Sequence, residues 1–348
     1  TSVSLVYKFL KRYYSNVGFY IPDRYNEGYG VSYQGIDYAA ENNFKLVIAL
    51  DCGIKAVEKV RHAKTLGVDF IICDHHTPDD ELPPAVAVLD PKRSDCTYPY
   101  KHLSGCGVGF KLLQAFSLRN NIDFEELTPF LDLLALSIAS DIVPITGENR
   151  ILAYYGLKQL NTNPSTGVKS IIEVCGLTDR EVTISDIVFK IGPRINASGR
   201  MKLATEAVEL LITNNPAFAR EKSDTINEYN NDRKDLDKNI TDEAIMLIGA
   251  DESFKTRKSI VVHKPDWHKG VIGIVASRLS EEFYKPSIVL TNSNGLASGS
   301  ARSVSGFDIY KAIDSCRDLL ENFGGHMYAA GLSMKEENVQ LFSERFEQ

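Results

Sequence analysis

The stretch Phe70-Ile71-Ile72-Cys73-Asp74-His75-His76 constrains the fold of this chain more than any other. A short apolar run bounded by Gly67 and by Thr77-Pro78 reads as a buried strand, and its end delivers an acid and two imidazoles to the carboxyl edge of a sheet. Open α/β sheets bind ligands at that edge. Upstream, Lys45-Leu46-Val47-Ile48-Ala49-Leu50-Asp51 repeats the design, and Cys52-Gly53-Ile54 then leads into a helical pattern over residues 56–66. If the two strands are parallel neighbours, Asp51 lies beside Asp74, His75 and His76. Carboxylate oxygen and neutral imidazole nitrogen form a donor set for Mn, Zn, Fe or Mg, and water on such an ion becomes a nucleophile near neutral pH. Taken alone, Asp51 reads equally well as a helix N-cap. An Asp-His-His triplet closing an apolar strand needs partners, however, which favours the metal.

A chain of 348 residues exceeds the usual size of one core, so two domains are expected. With 43% hydrophobic and 24% charged residues it can pack a core and need not be disordered. No apolar run approaches the roughly 20 residues that span a bilayer, and no signal peptide opens the chain. The opening helical stripe of Val3, Val6, Phe9, Leu10 and Tyr13 is in register from the first residue, and Thr1 is not a Met, so the start reads as an element cut from a longer chain. Six cysteines without paired spacing fit a reduced, cytoplasmic compartment. A formal net charge of -7 argues against a protein that coats nucleic acid with a generally basic surface, while leaving room for a local basic groove.

Along the chain, residues 17–22 read as a strand closed by Pro22, and Asn26-Glu27-Gly28-Tyr29-Gly30 as a turn without phosphate-binding spacing. Residues 85–89 supply another strand, with Asp90-Pro91 as its turn. Strands alternating with helices imply a doubly wound parallel sheet. The small residues of Gly105-Cys106-Gly107-Val108-Gly109 imply close helix-to-sheet packing. Residues 130–144 are apolar almost all round, hence a buried helix that ends on Asp141 ahead of Pro144. A carboxylate at a helix C-terminus opposes the helix dipole, so a positive partner is expected there, a metal ion or a lysine. After helices over residues 150–192, residues 191–201 read as a glycine- and serine-containing loop. Its Arg194 and Arg200 form an anion clamp or, equally, a solvated loop. The polar helix expected over residues 216–248 bridges domains, which places a first domain at 1–215 and a second at 249–348. In the second, strands at 259–263, 287–290 and 296–300 surround a helix over 270–283. Ser300, Arg302 and His326 lie in glycine-rich motifs whose free amides and side-chain donors suit phosphate. With Asp266-Trp267-His268-Lys269-Gly270 ahead of a helix, they describe a module that grips a phosphorylated polymer.

Six motifs in order, Asp51-Cys52-Gly53-Ile54, Asp74-His75-His76, Ala139-Ser140-Asp141-Ile142-Val143-Pro144, Asn196-Ala197-Ser198-Gly199-Arg200-Met201, Gly299-Ser300-Ala301-Arg302-Ser303 and Gly324-Gly325-His326, resemble the DHH phosphoesterase superfamily with its DHHA1 partner domain. The set is most similar to the RecJ single-strand-specific DNA exonucleases, over nearly the whole chain. The resemblance implies an α/β fold, a doubly wound parallel-sheet DHH domain joined by a long helix to a smaller α/β DHHA1 domain. It implies a 5'→3' exonuclease on single-stranded DNA in repair and recombination, with two Mn2+ or Mg2+ ions in a cleft between the domains. Carried over by position, Asp51 bridges the ions, His75 and Asp141 bind one of them, His76 faces the scissile phosphate and Asp74 orients the imidazoles. Arg200, Ser300, Arg302 and His326 hold the DNA backbone. A narrow groove excludes duplex, and aromatic stacking holds bases without reading sequence. A monomer in the cytoplasm, off the membrane, with DNA-repair partners such as a helicase or a single-strand-binding protein, completes the expectation.

The chain departs from the family pattern at both ends. An Asp-x-Asp pair that supplies further ligands is expected just before a helix start like Thr1-Ser2, and an oligonucleotide-binding domain after residue 348. The resemblance therefore implies a core with part of its metal site missing, and weak metal binding and little nuclease activity from this polypeptide alone. Two other readings stand beside it. One is an oligoribonuclease or 3'-phosphoadenosine phosphate phosphatase of the same superfamily, and the other a non-catalytic DNA-binding scaffold.

Overall fold

In a computed structural model that describes every residue except Ile142, the chain divides into two units, Thr1–Asn230 and Asn231–Gln348. The first opens with α1 (Ser2–Leu10) and α2 (Tyr33–Glu41) and then lays down β1 (Leu46–Leu50), α3 (Val57–Thr65), β2 (Asp69–Cys73) and β3 (Ala87–Leu89). The strands are parallel in the order β1-β2-β3, with Leu50 opposite Cys73 and Cys73 opposite Leu89. The ladder runs one residue further on each side. Asp51 N donates to Cys73 O at 2.8 Å and Asp74 N to Leu89 O at 3.0 Å, so three acidic residues, Asp51, Asp74 and Asp90, stand in a row at the carboxyl edge.

Alternation along the strands covers the sheet on both faces. Ala49, Phe70 and Ile72 pack with Ile36 of α2 and Val60 and Ala63 of α3. Ile48, Leu50, Ile71 and Cys73 turn to α1 and to α4 (Gly105–Arg119). Each fully buried Phe or Ile contributes roughly 1.5–3 kcal/mol. Behind α4 lies α5 (Leu131–Ser140), buried from Leu131 through Ala139. It packs so closely on α6 (Gly147–Thr162) that a Cβ on Gly156 would stand 2.2 Å from Leu131 O. The helices α7 (Thr166–Val174), α8 (Ile184–Asp186), α9 (Gly192–Met201) and α10 (Thr205–Ile212) follow, and α11 (Pro216–Ala250) carries the chain through the division between the units.

The second unit holds β4 (Ile260–His263), α12 (Ile272–Phe283), β5 (Ser287–Ser293), β6 (Leu296–Arg302), α13 (Ile309–Asp314), β7 (Asn322–His326), β8 (Ala329–Met334) and α14 (Val339–Glu347). Its sheet order is β4-β5-β6-β8-β7, with β4 and β5 parallel and the other pairs antiparallel. Val261, Ile288 and Leu290 face α13 and α14, while Ile260, Val262 and Val289 face α12. Among the described residues no helix is long and apolar enough to cross a membrane.

Two local expectations fail. Residues 17–22 form no strand: extended backbone counts as a strand only where a neighbour pairs with it, and Pro22 removes a donor. Instead Val17, Phe19 and Ile21 line a cavity of about 1050 Å3 against β1. Residues 191–201 are helical rather than looped. A π-helical turn, Ile187–Ile191, leads into α9, whose Pro193 sits in the first turn where a missing N–H costs nothing. A Cβ on Gly192 would lie 2.7 Å from Ser140 Oγ, so this glycine serves close packing on α5 rather than flexibility.

Candidate metal centre

Asp51 follows the last residue of β1 in the left-handed region, φ 63°, a conformation uncommon for a residue with a side chain. It caps no helix, because α3 starts at Val57 behind Ala56. The turn instead aims the carboxylate at the N-terminus of α4. A Cβ on Gly105 would fall 1.9 Å from Asp51 Oδ1, so only glycine leaves room for it there. From the other side comes Asp141, the C-cap residue of α5, whose charge the Gly105 amide also helps to hold. The opening amide of α4 is thus a donor at this helix end, and the positive partner expected there is a cation or a protonated His75. Ile142, next to it in the 139–144 motif, lies outside the described residues.

His75 sits between the two carboxylates. Its Nε2 is 3.2 Å from Asp51 Oδ1 and 3.4 Å from Asp141 Oδ2, yet neither contact has the direction of a hydrogen bond. Both oxygens are buried and accept no hydrogen bond from the protein. Nδ1 of His75 lies 3.1 Å from Leu103 O, and a carbonyl accepts only from N–H, so Nδ1 carries the proton of the neutral ring. Nε2 then offers a lone pair to a point where two carboxylate oxygens also offer theirs. Three acceptors converging without a donor are unstable unless a cation or an added proton lies among them. The electrostatics agree. Burial pushes the His75 imidazole down, but Asp51 and Asp141 outweigh it and the ring is shifted up. Asp141 is raised by burial and by the charge of Asp51, despite the opposing pull of His75.

Asp74 and His76 form a second tier. Burial opposes ionisation of Asp74, but the His76 side chain and the Ile54 and His75 amides hold its carboxyl down at about 2. Its Oδ2 accepts from Ile54 N at 2.9 Å, and its Oδ1 accepts from His75 N at 2.7 Å and lies 2.7 Å from His76 Nδ1. His76 is raised by that same carboxylate, which burial only partly offsets. Asp51, His75 and His76 can each offer one ligand atom with all three atoms within 4.8 Å of one another. Nitrogen and carboxylate donors at this spacing fit a divalent transition metal or Mg2+.

Of the anion-binding candidates, Arg200 lies in the last turn of α9 and lines the 1050 Å3 cavity together with Asp51 and Arg24. Its carbonyl accepts a hydrogen bond from the Tyr25 hydroxyl. Ser300, Arg302 and His326 lie on the sheet of the other unit. The ladder sets Arg302 opposite Ala329 and Ala329 opposite His326, so the two side chains rise from rows separated by one strand. Arg302 Nη1 donates to Ser300 Oγ at 2.8 Å and to Ala301 O at 2.7 Å, and Gly273 of α12 leaves space against both side chains. The structure therefore gathers Asp51, Asp74, His75, His76 and Asp141 at one sheet edge, with Arg200 and Arg24 on the adjoining cavity. Ser300, Arg302 and His326 lie on the second sheet. Sequence reasoning missed Arg24, the Leu103 carbonyl and the steric demand on Gly105. Only the last left a trace, in the run of small residues from 105 to 109.

Residues 1–138 match the model of the DHH family, N-terminal domain, and residues 257–348 that of the DHHA1 domain. The single-stranded-DNA-specific exonuclease RecJ of Bacillus subtilis (strain 168) is 41% identical over 341 residues, which cover 97% of this chain and 42% of the relative. RecJ of Escherichia coli (strain K12) is 35% identical, over 95% of this chain and 60% of the relative. The chain thus spans about half the length of the curated relatives it matches. Among solved structures, RecJ from Thermus thermophilus in complex with Mn2+ superposes with a TM-score of 0.86 at 30% identity, over 99% of this chain and 49% of that one. An exonuclease RecJ bound to manganese superposes at 0.85 with 32% identity, over 99% of this chain and 85% of that one. The chain belongs to the RecJ family of DHH–DHHA1 proteins.

Proposed function

We propose that this chain is the core of a single-strand-specific DNA exonuclease that works 5'→3' with Mn2+ or Mg2+. The observation that carries the reading is the meeting of the His75 Nε2 lone pair with two buried, undonated carboxylate oxygens, Asp51 Oδ1 and Asp141 Oδ2. Asp51, His75 and Asp141 would hold the metal, with Asp51, also within reach of His76, shared between two ions. Such ions supply an activated water and neutralise charge on the phosphate being cleaved. The protein's own residues do the rest. Gly105 and the turn at Asp51 hold the carboxylate in place, and Leu103 fixes the tautomer of His75. Asp74 turns His76 so that its other nitrogen is free to face the scissile phosphate. Arg200, Ser300, Arg302 and His326 would take backbone phosphates without reading bases, as expected of a strand-selective, sequence-tolerant enzyme.

The motifs of residues 1–215 and 249–348 support a DHH domain and a DHHA1 domain with residues 216–248 as linker. The same reading extends to a monomeric, cytoplasmic protein acting with a helicase or a single-strand-binding protein. The test is hydrolysis, with Mn2+ added, of single-stranded DNA, duplex DNA and a short RNA, alongside calorimetric Mn2+ binding. Release of nucleotides from the 5' end of single strands is expected, weak from this polypeptide alone and strong from the full-length protein. Preference for the short RNA, or failure to bind Mn2+ at all, would overturn the assignment.

A further inference from the structure

β3 ends beside the metal centre, and the turn that follows it has no part in the reading above. The ladder places Cys73 opposite Leu89, and Asp74 N donates to Leu89 O, so Asp90 and the residues after it leave the sheet next to Asp74 and His75. Asp90 is 3% exposed. Its Oδ1 accepts from Lys92 N at 2.8 Å, an Asx turn that fixes the backbone of the lysine. Two cations stand on this turn, and their situations differ. Arg93 is fully engaged, with Nε and Nη2 on the Asp95 carboxylate at 2.9 and 2.5 Å and Nη1 on Val88 O at 2.5 Å. Lys92 is exposed and its ammonium makes no ion pair or hydrogen bond among the described residues, although it is near enough to act electrostatically on both His75 and Asp90.

A positive charge held beside a metal centre, with no carboxylate of its own, works against cation binding unless something anionic joins the site. We propose that Lys92, held by the Asx turn at Asp90, is a substrate contact: its ammonium takes a backbone phosphate oxygen of the single strand at the metal centre. The inference deepens the nuclease reading and rests on it. An ammonium suits this task because it binds phosphate as a point charge and tolerates a moving backbone, whereas a guanidinium would demand a fixed paired geometry.

The experiment measures binding of a 5'-phosphorylated oligothymidylate by fluorescence anisotropy across a salt series, with Ca2+ in place of Mn2+ so that the strand stays intact. Mn2+ affinity is measured in parallel. Lys92→Ala is expected to weaken binding about two- to fivefold at low salt and to reduce the slope of log affinity against log salt by about 0.7. Mn2+ affinity should hold or rise, and Lys92→Arg should recover most of the slope. Lys64→Ala, which removes an exposed charge from α3, should leave the slope unchanged. An unchanged slope in Lys92→Ala, or an equal loss in Lys64→Ala, overturns the contact while leaving the nuclease reading standing. No binding by the unmodified chain, together with no Mn2+-dependent hydrolysis, overturns both.

Discussion

The two polar clusters proposed as the site of this chain are built on opposite principles. At the carboxyl edge of the parallel sheet, acceptors are buried facing one another, and Asp51 Oδ1 and Asp141 Oδ2 have no donor. On the mixed sheet, Arg302 already donates to Ser300 and Ala301, and His326 Nδ1 accepts from Tyr328 N at 3.3 Å. The first cluster is destabilised until a cation arrives, so metal binding there should lend stability to the fold. The second is satisfied within itself and half open to solvent, so it should bind weakly, reversibly and with strong dependence on salt. On the proposed reading, binding energy would come from relief of unpaired buried charge in one and from displacement of counterions in the other.

The hardest blow to the comparison is Asp51→Ala. It should lower Mn2+ affinity and hydrolysis by at least about a hundredfold while single-strand binding is kept; calorimetry and a nuclease assay read the two separately, and retained hydrolysis would mean the ligands are misassigned. Gly105→Ala comes next. The new Cβ displaces Asp51 without touching its charge, so Mn2+ affinity should drop about 10- to 100-fold. Gly249→Ala, in open space on α11, should behave as the unmodified chain.

The pH dependence of stability sharpens the contrast further. His75 is raised in the folded state, so its stabilising share is complete below its unfolded pKa and fades as pH climbs through the folded value. Asp141 is also raised, so it costs stability wherever it is ionised, above its unfolded value. Both act in one direction, Asp141 in the acid range above its ordinary value and His75 nearer neutrality, so through His75 the metal-free chain should lose about 2–4 °C of melting temperature between pH 6 and pH 8. Saturating Mn2+ should abolish that slope. A metal-free melting temperature that rises over this range would show that Asp51 and Asp141 do not draw a proton onto His75. The mildest effect belongs to the second cluster. Arg302→Ala should weaken binding of single-stranded DNA about two- to fivefold, most at low salt, and leave Mn2+ affinity unaltered.

Much of the first cluster was legible because its signals are local. A run such as Phe70-Ile71-Ile72-Cys73 must bury both faces, and a polar triplet at its end must emerge at a sheet edge; the same holds for residues 45–51 and for the wholly apolar α5 that ends on Asp141. Where small residues were concerned, composition misled. Gly192 and Pro193 read as a loop and are the first turn of α9, because what decides them is the approach of Ser140 from another helix. Residues 17–22 carry strand-like periodicity, but periodicity cannot supply a partner strand. Asp90 read as a turn residue, and so it is, yet its burial and its hold on Lys92 depend on β3 lying beside β2.

What the residues settled by themselves was which segments are apolar and where the acids and imidazoles fall along them, since that depends on neighbours a few positions away. Tertiary structure decided which of those groups share a point in space, which tautomer His75 adopts and which oxygens are left without a donor. These depend on atoms dozens of residues apart, Leu103 and Gly105 above all, whose types carry no mark of the side chain they were shaped to receive.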